Sequence, residues 1–155
     1  MVAVGDKAPD FTLPDVDLKQ RSLREYVGKK KIVLAFFPLA FSPVCTNELC
    51  SLRDSEQQLN RLEAQVIGIS VDSPFVLKAF ADHHGFSFPF LSDFNRDVSR
   101  QYGVLHDEIL GFRGVSKRSI FIIDRNGSVR YRWVSEDPAK QPDYNALNEA
   151  LSRIL

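Results

Sequence analysis

Only two cysteines, Cys45 and Cys50, occur in 155 residues. That is too few for the disulfide framework of a small secreted domain. In a reducing compartment a pair this close reads as reactive rather than structural. Histidine is almost as scarce, with His83, His84 and His106 the whole set. His83 and His84 are adjacent, so they point different ways on a helix, and His106 stands alone in a loop. None combines with the cysteines into a ligand set, and no metal is expected. An excess of charge of either sign is missing, because 20 Lys+Arg balance 20 Asp+Glu. That argues against nucleic acid or an anionic membrane as partner. No apolar stretch approaches the roughly 18 residues needed to span a bilayer. The start, MVAVGDKAPD, lacks the charged-then-apolar layout of a signal peptide. Neither an internal repeat nor a low-complexity tract appears. The expectation is a soluble, cytoplasmic chain forming one domain over residues 1–155, long enough to bury one substantial core.

What the chain does have is concentrated in Lys31 to Cys50, KIVLAFFPLAFSPVCTNELC. Ile32 to Phe37 is an unbroken apolar run rich in Val, Ile and Phe. Closed by Pro38, it reads as a strand buried on both faces of a sheet. From Thr46 to about Ala64 a helical pattern takes over, with Leu49, Leu52, Leu59 and Leu62 on one stripe. Cys45 lies where strand gives way to helix. A thiol there faces unpaired backbone N–H groups and the positive end of the helix dipole, and both favour a thiolate.

The remaining elements fall into place around that unit. Pro9 and Pro14 bracket a short strand over Asp10–Leu13, and Arg21–Leu23 reads as another before a helical turn to Tyr26. Lys29 to Lys31 read as solvated residues entering the apolar strand. Val66–Val71 is a second buried strand, so strand, helix and strand make a right-handed crossover. Asp72-Ser73-Pro74 starts a helix through about His84. Phe86–Leu91 is a short extended segment, Asp93–Tyr102 a short helix, and residues 105–116 a loop. Ser119–Asp124 and Val129–Val134 flank Arg125-Asn126-Gly127, a strong hairpin signal. Asp143–Leu155 is an amphipathic helix. Trp133, Phe36 and Phe37 read as core, as do Phe80, Phe86, Phe88 and Phe90, with one or two phenylalanines left to line a pocket mouth. The predicted class is α/β, a mixed central sheet flanked by helices, with the Cys45 loop at a strand's carboxyl end.

Pro38-x-x-x-Ser42-x-x-Cys45 resembles the signature around the reactive cysteine of peroxiredoxins. Gly5-Asp-Lys-Ala-Pro-Asp-Phe-Thr-Leu13 resembles the opening of the AhpC/TSA family, and Arg118-Ser-Ile-Phe-Ile-Ile-Asp124 its late strand. Phe36-Phe-Pro-Leu-Ala-Phe41 is similar to small E-type peroxiredoxins, whereas Cys50, five residues after Cys45, has the spacing of the Q-type group. The resemblance implies a thioredoxin-like fold. It also implies a peroxidase that reduces hydrogen peroxide and organic hydroperoxides with cysteine alone, without haem, flavin or metal. In that scheme Cys45 attacks the peroxide and becomes a sulfenic acid. Ser42 offers a hydroxyl to the peroxide, although the same serine would serve as a helix N-cap or turn former. Pro38 shields the thiolate from water, or simply ends the strand. Arg118 donates to sulfur and peroxide, and only the resemblance selects it over Arg113 and Lys117. Glu48, one turn beyond Cys45, orients Arg118 or merely favours the helix start.

Cys50 admits two roles. On one helix it would lie about 7.5 Å along and about 140° round from Cys45. A disulfide between them therefore requires the first turns to unwind. The Q-type resemblance implies such a resolving disulfide, recycled by thioredoxin or a glutaredoxin-like donor. The E-type resemblance implies a one-cysteine enzyme resolved by an external thiol, with Cys50 a bystander. A thiol–disulfide oxidoreductase is disfavoured, because four residues rather than two separate the cysteines. A redox sensor that passes the Cys45 oxidation to a partner is the non-enzyme alternative. Relatives are monomers or homodimers, and nothing in the sequence chooses between these states.

Overall fold

In the computed structural model, residues 2–154 are described. A short antiparallel pair, β1 (Thr12–Pro14) and β2 (Gln20–Ser22), leads through a 3-10 turn at Leu23–Glu25 into β3 (Lys31–Phe36). Then come α1 (Pro43–Asp54), α2 (Glu56–Arg61), β4 (Ala64–Ser70), α3 (Pro74–His84) and β5 (Phe90–Ser92). The chain closes with α4 (Asp97–Gln101), β6 (Ser119–Ile123), β7 (Val129–Val134) and α5 (Tyr144–Ser152).

Five of these strands form one sheet in the order β5-β4-β3-β6-β7. β4 runs parallel to β3 and to β5, while β6 is antiparallel to both β3 and β7. Every residue of β3 is buried, and for residues 32–36 this is expected of an apolar run too continuous to have a wet face. Val33 and Ala35 face the core beneath α1, α2, α3 and α5, where Leu49, Leu52, Leu59, Leu77 and Leu147 pack. Ile32, Leu34 and Phe36 face the other core, with Phe11, Val98, Tyr102 and Phe121. Alternate residues of one strand thus seed two hydrophobic layers. Phe80, Phe86, Phe88 and Phe90 are buried against one another in the first layer, and Trp133 packs on its edge. Gly68 of β4 is required by that packing, since a Cβ there would come within 2.8 Å of the Phe90 ring.

Several boundaries differ from the sequence reading. The long helix expected to reach Ala64 is two helices, broken at Ser55 and ending at Arg61. Asp54 and Ser55 are residues that favour helix ends, and the break keeps Leu52 and Leu59 both in the core. Ala64 is already in β4, opposite Lys31. The segment from Phe86 joins the sheet only at Phe90, because Pro89 has no N–H to offer a ladder. α4 starts at Asp97, after Arg96 adopts a φ of +70°. The buried Asp93 carboxylate accepts from Val98 and Ser99 at 3.1 and 2.7 Å. Lys31 is not solvated but 6 % exposed. His106 is also buried, and among the described residues its Nε2 has no hydrogen-bond partner. The last helix ends at Ser152, and the expected end at Leu155 lies outside the described residues.

Candidate active site

The carboxyl end of β3 delivers the chain to α1 through Phe37–Ser42, and there the candidate residues converge. Ser42 is extended (φ −70°, ψ 148°) at the N-cap position, and Pro43 follows at the first helical position. Proline costs nothing there, because that N–H would have no acceptor anyway. Ser42 does not cap the helix. Its Oγ donates instead to the Leu39 carbonyl at 2.8 Å, which leaves the hydroxyl oxygen free to accept. Cys45 lies in the first turn, fully buried, so the N–H groups around it point past the helix end.

Arg118 reaches Cys45 from the residue before β6. It is 1 % exposed, and three groups fix its guanidinium. Nη1 donates to Glu48 Oε1 at 2.9 Å, Nη2 to the Pro138 carbonyl at 2.8 Å, and Nε to the same carbonyl at 3.2 Å. Nη2 also donates to Cys45 Sγ at 3.2 Å. Burial opposes the charge on Arg118, but Glu48 and Cys45 beside it outweigh that and hold its pKa above the usual arginine value. Of the three basic candidates only Arg118 approaches the sulfur. Arg113 is exposed, and Lys117 pairs with Glu136 at 2.7 Å.

Glu48 is fully buried one turn along α1, and among the described residues its Oε2 accepts no hydrogen bond. Burial drives its pKa up to about 7 against the opposing pull of Arg118. Glu48 is therefore a carboxyl that changes charge near neutrality while touching the cation that touches the thiol.

Cys45 and Arg118 open onto a cavity of about 240 Å³ walled mostly by apolar side chains, among them Pro38, Leu39, Val44, Ile109, Leu110 and Phe112. Ser42 lines it as well. The far wall is the loop over 105–116. Ile109 and Phe112 exchange two backbone hydrogen bonds of 2.8 Å, while Leu110 and Gly111 between them have φ of +52° and +82°. Positive φ at both central residues is the type I′ arrangement. Leu110 is 80 % exposed in this strained conformation.

Cys50 sits on the same unbroken helix as Cys45, half-buried against the core, and both thiols are free. Two contributors had no side-chain signal in the sequence. The Pro138 carbonyl is a backbone group on a distant loop. The Ile109–Phe112 tip has only Gly111 as its trace in a sequence that reads as plain loop. Among the described residues no group of three or more His, Cys, Asp or Glu could hold a metal, and no helix is long and apolar enough to cross a membrane.

Comparison with known proteins agrees with this geometry. Residues 4–132 match the AhpC/TSA family. Alkyl hydroperoxide reductase E of Mycobacterium tuberculosis is 37 % identical over 156 residues, covering 99 % of each chain. Chloroplastic peroxiredoxin Q of Gentiana triflora is 38 % identical over 129 residues, 83 % of this chain and 58 % of that one. Among solved structures, peroxidoxin BcpB of Mycobacterium tuberculosis superposes with a TM-score of 0.85 at 32 % identity, covering 98 % of this chain and 96 % of that one. The reduced 2-Cys peroxiredoxin of Plasmodium vivax gives 0.86 at 28 % identity, covering 97 % and 81 %. The shared architecture is the thioredoxin-like fold. This chain belongs to the AhpC/TSA family and is one of its peroxiredoxins.

Proposed function

We propose that the protein reduces hydrogen peroxide and organic hydroperoxides at Cys45. The observation that carries this reading is the 3.2 Å contact of Arg118 Nη2 with Cys45 Sγ at the floor of the cavity. The Cys45 thiolate attacks the terminal peroxide oxygen. The O–O bond breaks, the sulfur becomes a sulfenic acid, and the other oxygen leaves as water or an alcohol after taking up a proton. Negative charge moves from sulfur toward the leaving oxygen, and Arg118, already aimed by Glu48 and Pro138, stabilises it along that path. Ser42 accepts a hydrogen bond from the peroxide, since its own proton is engaged by Leu39. Pro38, with no N–H, forms part of the dry wall. The apolar lining suits the alkyl group of an organic hydroperoxide.

The sulfenic acid then condenses with a thiol, forming a disulfide and releasing water. Cys50 is the intramolecular candidate, with a thioredoxin or glutaredoxin-like donor reducing the resulting Cys45–Cys50 bond. One observation favours the alternative, in which an external thiol resolves Cys45 directly. In the intact α1 the two residues are about 7.5 Å apart along the axis, beyond the reach of a disulfide without backbone movement.

Intact mass and thiol counting after one equivalent of hydrogen peroxide test both readings, on wild type and Cys50→Ser. Loss of both thiols in wild type, with a trappable sulfenic acid in the variant, supports Cys50 as resolver. An oxidised Cys45 beside a free Cys50 supports the external thiol. An unreacted Cys45 overturns the peroxidase assignment.

A further inference from the structure

Among the described residues, one hydrogen bond ties the loop that carries the site to the rest of the protein. From Pro38 to Ser42 the hydrogen bonds are local, Ser42 N and Oγ both donating to Leu39 O, with one exception. The exception is Ala40 N, which donates to Asp72 Oδ2 at 2.8 Å. Asp72 follows β4, and its position is itself fixed. The same Oδ2 accepts from Ser70 Oγ at 2.6 Å, and the Asp72 carbonyl accepts from Ser92 Oγ at 2.6 Å. Ser70 and Ser92 are buried at the carboxyl ends of β4 and β5. Residues at the ends of two adjacent strands thus hold a carboxylate that reaches out to the cysteine loop. Next to that contact the loop is strained. Phe41 has a φ of +69°, rare for a bulky side chain, and is 48 % exposed, with its ring resting edge-on against Phe80 at 5.1 Å. Without the Asp72 bond, relaxation of Phe41 is opposed by ring packing at a half-exposed position, against Phe80 and more distantly His83 and His84.

On the reading that Cys45 reacts with peroxide, we propose that Asp72 is the positioning residue of the cysteine loop and the latch on α1. While its carboxylate holds Ala40, the Leu39–Ser42 turn keeps Cys45 under Arg118, the geometry for peroxide attack. When it lets go, Phe41 relaxes, the first turn of α1 unwinds, and the sulfenic acid becomes accessible to the resolving thiol. Asp72 touches no substrate and acts only through the loop.

Asp72→Ala and Asp72→Asn separate this role from general stability, because the asparagine oxygen still accepts from Ala40 and Ser70. Two rates are read on each protein: single-turnover oxidation of Cys45 by hydrogen peroxide, and alkylation of reduced Cys45 by iodoacetamide, mapped by peptide mass. In Asp72→Ala the peroxide rate should fall by about 10²-fold, the scale of losing alignment at a reacting atom. Alkylation of the otherwise buried Cys45 should rise while that of Cys50 stays near wild type. Asp72→Asn should recover most of both. Unchanged rates in Asp72→Ala overturn the latch, as does an Asp72→Asn as impaired as the alanine variant. Equal gains in alkylation at Cys45 and Cys50 overturn it too, because they mark general loosening. If wild-type Cys45 ignores peroxide the peroxidase reading fails, and the alkylation arm still decides whether Asp72 holds the loop.

Discussion

Lys31 and Arg118 sit at opposite ends of the ladder joining β3 to β6, and both are buried, at 6 % and 1 % exposure. Lys31 Nζ donates to the Leu151 carbonyl at 3.0 Å, in the last turn of α5. There it adds a side-chain donor to a carbonyl that also accepts from Ile154 N at 3.2 Å, and it sits at the negative end of the dipole. Its partner never changes charge. Arg118 at the other end meets a thiol and a carboxyl that changes charge near neutrality, and it faces an apolar cavity. Burial of a cation therefore does not identify a site. The ionisable partners and the open space beside them do. The side-chain types fit the two tasks: an ammonium is enough for one carbonyl, whereas a planar guanidinium is needed to hold three groups at once.

The sharpest way to break this contrast is Arg118→Lys. An ammonium cannot reach Glu48, Pro138 and Cys45 together, so the rate of Cys45 oxidation by peroxide should fall by about 10²–10³-fold, as when an oriented donor to a developing charge is lost. Stopped-flow measurement with hydrogen peroxide reads this directly, and a rate within threefold of wild type would make Arg118 another structural cation like Lys31.

Next in size is the effect of Glu48 on stability against pH. Below pH 4.5 its carboxyl is protonated in folded and unfolded chains alike. Between 4.5 and about 7 the folded protein keeps the proton that the unfolded chain has lost. Each rise in pH across that window therefore favours unfolding, by a total of a few kcal/mol. Glu48→Gln keeps an acceptor for Arg118 and should flatten this part of the profile in urea titrations from pH 4 to 8. A slope unchanged by the substitution would assign the effect to other groups.

How much of this was legible in the sequence depended on the kind of signal. β3, β7 and the crossover were plain because apolar runs and Asn126-Gly127 carry local physics. Cys45, Ser42, Pro38 and Glu48 were legible as neighbours in one segment. Arg118 was not separable from Arg113 and Lys117 by composition, since all three are basic residues near a strand entry, and only the family likeness selected it. The burial of Lys31 is hidden for a similar reason. A lysine before a buried strand looks solvated until the distant α5 brings it a carbonyl. The Pro138 carbonyl and the Asp72 tie to Ala40 depend on contacts 20 and 32 residues apart in the chain, and no local pattern encodes either. Ser55 broke a helix whose leucine spacing read as continuous.

The cavity wall sharpens the contrast from the substrate side, with a smaller effect. Leu110→Asn should preserve the turn, because asparagine tolerates positive φ, while removing the apolar lip. The expected result is a loss of about tenfold in kcat/KM for cumene hydroperoxide, on the scale of a hydrophobic contact. The value for hydrogen peroxide, which has no alkyl group to read, should stay close to wild type. Equal losses for both peroxides would mean that the tip shapes the whole site rather than its alkyl side.

The smallest change belongs to Lys31. Lys31→Met keeps most of the buried volume but removes the charged donor, leaving the Leu151 carbonyl with only backbone partners at the end of α5. The cost should be about 1–2 kcal/mol, the range for a lost hydrogen bond to a charged group. Thermal unfolding would read this as a fall in Tm of a few degrees. The rate of Cys45 oxidation should not move, because the length of β3 separates Lys31 from the cavity and no polar contact links them. A slower reaction would show that strain at one end of the β3–β6 ladder reaches the other, and the two cations would then have to be treated as one system.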